Sequence, residues 1–181
     1  MNVMQKLMAN RVQLLFLEIN QDQIQQNIII AIDIFHRGIN LNNTKKIIWL
    51  KTGPWNFQHD CDFISDTEIG VFGNDVTDFK GKSYLIKGHN NQYIYNFSTN
   101  EISTPYTKMF KQGKIKTLTE GRSRILPDGQ LLVEETNYGR ILFGDKNGIT
   151  GEYVNRLDKN HISMLSWSRY YTNEEFNQSN N

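Results

Sequence analysis

Phe63-Ile64-Ser65-Asp66-Thr67-Glu68-Ile69-Gly70-Val71-Phe72 and Ile125-Leu126-Pro127-Asp128-Gly129-Gln130-Leu131-Leu132-Val133-Glu134 are two copies of one pattern, 62 positions apart. Each reads as an apolar run, a tight turn at an aspartate, and a second apolar run. β-Branched and aromatic residues flanking an Asp-centred turn are the signature of paired antiparallel strands. Two further strand-like runs follow each copy, at 93–97 and 102–110 after the first and at 140–143 and 149–154 after the second. Four short antiparallel strands per unit, repeated, predict the blades of a propeller. The first unit is longer because residues 75–91 are inserted between its second and third strands.

Upstream, runs at 12–19, 28–35 and 45–50 supply three more strands without a fourth. The expected fold class is therefore all-β, an incomplete β-propeller of about three four-stranded antiparallel blades. Residues 1–171 form a single partial domain, with full blades at about 57–110 and 121–155, and 172–181 form a polar C-terminal tail. A β-sandwich is the alternative. Helix is expected only in the first eight residues and around Asn173-Glu174-Glu175. Propellers close with typically four to eight blades, so this length predicts self-association or a missing part of the ring. The run 28–34 is apolar at nearly every position and reads as a strand buried on both faces.

Lys and Arg number 20 against 19 Asp and Glu, a net charge of +1. That balance excludes a strongly basic nucleic-acid binder. With one cysteine, Cys61, the chain has no internal disulfide framework. The most apolar run, 28–32, ends at Asp33, far short of the roughly 20 residues a membrane helix needs. Residues 14–17 end at Glu18 without a small-residue cleavage site, so no signal peptide is read. These features leave the localisation open.

His59 stands at the start of the first unit's inner strand, beside Asp60, a carboxylate suited to fixing an imidazole tautomer. Strand alternation sends His59 and Cys61 to one face and Asp60 and Asp62 to the other, and the spacing matches no zinc pattern, so no metal or cofactor is expected. Arg122 and Arg124, two apart, share one face at the start of the second inner strand. His36, His89 and His161 read as surface residues. Most of the aromatic residues, Trp49, Trp55, Phe72, Tyr93 and Tyr95 among them, read as packing between blades.

Two stretches carry a resemblance. WLKTGPWNFQHDCDFISDTEIGVFGN, from Trp49 to Asn74, has a Trp-containing strand, a Gln-His-Asp, a turn and a Phe-Gly-Asn ending. GRSRILPDGQLLVEETNYGRILFGDKNGITGEYVN, from Gly121 to Asn155, has a Leu-Pro-Asp-Gly turn followed by Gly-Arg-Ile. Together with the closing Trp167-Ser168-Arg169-Tyr170-Tyr171, these resemble the arylsulfotransferase family of β-propellers over about half the chain. The resemblance implies transfer of a sulfuryl group from an aryl sulfate to a phenol, without a nucleotide donor. His59 would be the nucleophile and Asp60 its orienting partner, while Asn74, Arg122 and Arg124 would bind the sulfate oxygens. The sequence departs from the family pattern in two places. Val76-Thr77-Asp78-Phe79 stands where an arginine is expected, and no second histidine lies near Glu120-Gly121-Arg122. The other reading is a non-catalytic propeller fragment that binds a partner.

Overall fold

A computed structural model describes residues 12–21, 24–33 and 46–179. Its framework is three antiparallel sheets in chain order. The first contains β1 (Val12–Gln21), β2 (Ile24–Asp33) and β3 (Lys46–Thr52), paired in sequence order. The second contains β4 (Gln58–Ser65), β5 (Glu68–Gly73), β8 (Asn91–Asn96) and β9 (Glu101–Ser103), and the third β10 (Arg122–Ile125), β11 (Leu131–Glu135), β12 (Arg140–Asp145) and β13 (Gly148–Val154). A separate hairpin of β6 (Val76–Phe79) and β7 (Lys82–Leu85) occupies the inserted segment. Its turn runs through Lys80 and Gly81, both at positive φ, the backbone that two-residue hairpin turns require. The described sheets do not join into a closed ring.

The two stretches 62 residues apart occupy corresponding places in their sheets. Asp66 and Asp128 both sit in the turn joining the first and second strands of their sheets. In the second copy, Gly129 takes φ 81° and its amide donates to the Leu126 carbonyl at 2.9 Å. Pairing is equivalent too. Asp60 faces Phe72 and Asp62 faces Gly70 in one sheet; Arg122 faces Glu134 and Arg124 faces Leu132 in the other.

Burial explains the central strands. From Ile69 to Gly73 every residue of β5 is buried, as is all of β11, because each lies inside its sheet with both faces covered. Alternation divides β5 between two cores. Ile69 and Val71 join Trp55, Tyr93 and Tyr95 on one side, where Trp49 of β3 meets the Tyr95 and Phe97 rings at 5.2 and 5.0 Å. On the other side Phe72 joins Leu131, Val133 and Leu142 of the neighbouring sheet.

Two strand readings are corrected. The run at 102–110 is a strand only at Glu101–Ser103; it continues as α1 (Thr107–Gly113). Tyr106, Met109 and Phe110 fall at i, i+3 and i+4, which turns all three onto the core shared by the two sheets. Lys114, in the left-handed conformation, ends the helix. The apolar stretch 162–171 forms no strand beyond a single bridge between Arg156 and Ile162. It lies as an irregular segment, followed by α2 (Asn173–Ser179), the tail helix read from the sequence. The expected helix in the first eight residues lies outside the described residues. The same holds for the side chains behind the two-sided burial of 28–34.

Candidate active site

His59 owes its position to a local irregularity. Phe57 adopts φ 47°, and the pairing of β4 with β5 shifts between Gln58 and Asp60, leaving His59 as the extra residue of a β-bulge. A bulge re-aims the side chain it carries. Here Gln58 is buried while His59 is exposed. The entry to the strand is pinned by Asp75, which takes the Asn56 amide at 3.2 Å and the Tyr93 hydroxyl at 2.6 Å. Burial raises the pKa of Asp75.

Arg122 enters from the other sheet. The chain reaches it through Glu120 and Gly121, at φ 56° and 83°. A Cβ at Gly121 would lie 2.5 Å from Thr117 Cγ2 and 3.0 Å from Phe72 Cε1, so both conformation and space demand glycine there. The preceding loop is held by two asparagines. Asn137 Oδ1 accepts from Thr117 Oγ1 and from the Leu118 and Thr119 amides, at 2.7, 2.8 and 3.1 Å. Asn74 Nδ2 donates to the Thr117 and Glu120 carbonyls at 3.2 and 2.6 Å.

These devices bring His59, Asp60 and Arg122 to one open cleft of ≈ 420 Å³, which Glu120, Glu134 and Trp167 also line. Asp60 Oδ2 accepts the Ser123 amide at 3.1 Å and lies 3.8 Å from Arg122 Nε. Among the described residues, no hydrogen bond joins the His59 ring to Asp60, so the carboxylate holds the arginine strand rather than the imidazole. Burial, and secondarily Asp62, push the Asp60 pKa up to about 6, against the opposing pull of Arg122 and the Ser123 amide. Arg122 stacks on the Trp167 ring, 4.9 Å from its centroid. Burial, with Asp60 and Asp62 nearby, also raises the pKa of the Cys61 thiol, which holds it in the unreactive protonated form.

The other expected site residues lie elsewhere. Arg124 lines an adjacent cleft with Arg169, Tyr170 and Tyr171. Asn74 is buried behind the site, its amide hydrogens committed to the loop before Arg122. His89, expected at the surface, is 7% exposed, with Nδ1 2.6 Å from the Asn90 carbonyl oxygen; His161 is exposed, and His36 lies outside the described residues. The sequence reading missed Glu134. This buried carboxylate accepts the Trp167 and Ser168 amides at 3.1 and 2.5 Å and so fastens the C-terminal segment over the cleft. Its sequence signal is an apolar strand, Leu131-Leu132-Val133, that ends in two carboxylates. The second of these, Glu135, is wholly buried and paired with Arg140.

The chain is all-β, and two of its four-stranded antiparallel sheets bring a histidine, a carboxylate and a guanidinium together at the ends of their first strands. Residues 7–155 match the family described as Arylsulfotransferase (ASST), and the chain belongs to that family. No curated protein and no solved structure matches the chain. Among the described residues, no helix is long and apolar enough to cross a membrane, and no group of three His, Cys, Asp or Glu side chains is placed to hold a metal ion.

Proposed function

We propose that this chain acts as an aryl sulfotransferase, moving a sulfuryl group from an aryl sulfate to a phenol through His59. The observation that carries the reading is the meeting of His59, Asp60 and Arg122 at one cleft in a chain of this family. In the first half-reaction an unprotonated imidazole nitrogen of His59 attacks sulfur. The bond from sulfur to the aryl oxygen breaks and its electron pair leaves with the phenolate. Arg122 bears on the sulfate oxygens, where charge is held through the transition state. In the second, the acceptor oxygen attacks sulfur, the nitrogen–sulfur bond breaks, and the phenolic proton passes to Asp60. Burial makes that carboxylate a stronger base than an exposed one.

The fold reading that goes with this function is a partial propeller over 1–171, with blades at about 57–110 and 121–155. It is supported by the equivalent turns and by the side-by-side first strands, joined from the Ser123 amide to Asp60. An arc of this length leaves flanks that a second copy, or further chain, would cover.

The test is turnover of 4-nitrophenyl sulfate with phenol as acceptor. The wild-type chain is expected to release nitrophenol, and His59→Asn to lose at least about a thousandfold in rate. No turnover by the wild type, or an undiminished rate in the variant, would overturn the proposal.

A further inference from the structure

A second cleft, of ≈ 860 Å³, lies between the outer face of the third sheet and the C-terminal segment, and it shares Arg122 and Trp167 with the His59 cleft. The two differ in charge. The His59 cleft sets Asp60, Glu120 and Glu134 against one arginine; the second sets Arg122, Arg124 and Arg169 against the single carboxylate of Glu175. Among the described residues Arg169 has no hydrogen-bond or ion-pair partner, and Arg124 makes only one long contact, to the Tyr170 carbonyl at 3.4 Å. Three guanidinium groups gathered beside aromatic rings, two of them almost without partners, form an unfilled site for an oxyanion attached to a ring.

Glu175 is the one carboxylate of its lining. Its carboxylate lines the cleft and feels the charge of Arg124. The same side chain caps its own helix: Glu175 Oε2 accepts the Thr172 amide at 2.8 Å and the Glu175 amide donates to Thr172 Oγ1 at 3.2 Å, a reciprocal capping box.

We propose that this second cleft binds an aromatic oxyanion, with Arg124 and Arg169 taking the anionic group and Trp167 and Tyr170 flanking the ring, and that Glu175, the one carboxylate of the lining, opposes the ligand's charge. The proposal rests on the reading above only through the shared Arg122. Binding is therefore measured without turnover, on full-length His59→Asn protein, so that its failure and the failure of the catalytic reading are separate results.

The probes are phenyl sulfate, inorganic sulfate and phenol, followed by calorimetry and tryptophan fluorescence. Phenyl sulfate is expected to bind at least about tenfold more tightly than either fragment. Arg169→Gln and Arg124→Gln should each weaken it by about tenfold, the scale of a lost charge-assisted hydrogen bond. Glu175→Gln keeps the capping box, since glutamine also serves at that position, and should tighten binding several-fold. Unchanged thermal melting separates these effects from misfolding. Inorganic sulfate matching phenyl sulfate would overturn the proposal. So would affinity that follows Arg122→Gln but ignores Arg169→Gln, or indifference to Glu175→Gln.

Discussion

The first strands of the two four-stranded sheets occupy equivalent places and carry opposite charges. Asp60 and Asp62 in β4 correspond, 62 positions on, to Arg122 and Arg124 in β10, and their cross-strand partners correspond as well. The two strands share their pairing and carry inverted charges. The adjoining faces therefore attract, as the contact between Asp60 and Arg122 shows. The same comparison separates a filled layer from a flank. Where the first sheet has Phe72, packed against the third sheet's core, the third sheet has Glu134, holding an irregular segment. One side of the repeat builds the interior and the other builds clefts.

The largest way to break that arrangement is at Phe72, which is 1% exposed. Phe72→Ala is expected to cost about 4 kcal/mol, the usual range for a buried phenylalanine, in a single transition that takes both sheets together in chemical denaturation. Two separated transitions would show that the sheets do not share a core.

Next in size is Gly121, whose counterpart in the first sheet is His59. The first sheet accommodates a side chain there by bulging, whereas the second holds a left-handed residue against Thr117 and Phe72. Gly121→Ala should cost about 3 kcal/mol, from the positive φ and the contacts together. His59→Gly should cost less than about 1 kcal/mol, since His59 is exposed. Thermal melts of the two variants measure the asymmetry.

The smallest effect sharpens the charge inversion. Folding raises the Asp60 pKa from 3.8 to about 6, so the folded chain binds more protons than the unfolded chain between those values. The stability contributed by protonated Asp60 is fully present below about pH 4 and is lost as pH rises through about 6. Relative to Asp60→Asn, the wild type should lose on the order of 2 kcal/mol across that window and change little above it. A difference that grows with pH above 7 would reassign the shift to another group.

Much of the fold was legible because its signals were local. The Asp66 and Asp128 turns, the runs on each side of them and the insertion at 75–91 each occupy a few consecutive residues. The strand–helix change at 103–107 was not legible, because a seven-residue helix shows barely two turns of 3.6-residue periodicity, and Tyr106, Met109 and Phe110 also suit a strand. His59, Asp60 and Arg122 were named as candidates from residue type and place, and the structure brings them to one cleft. What the sequence hid was non-local: which atoms Asp60 bonds, the use of Asn74 as a clamp, and the anchoring of residues 167–168 by Glu134, 33 positions away.

Glu134 grips the C-terminal segment by its main chain. A carboxylate that holds two peptide N–H groups reads no side chain, so the anchor itself leaves the Trp167 ring to its stack on Arg122. The wall of both clefts is thereby separated from the framework that fixes it. On the proposed readings, the lining that side chains from 166 to 171 give the two clefts is where ligand preference is expected to change, while their main-chain anchor on Glu134 stays as it is.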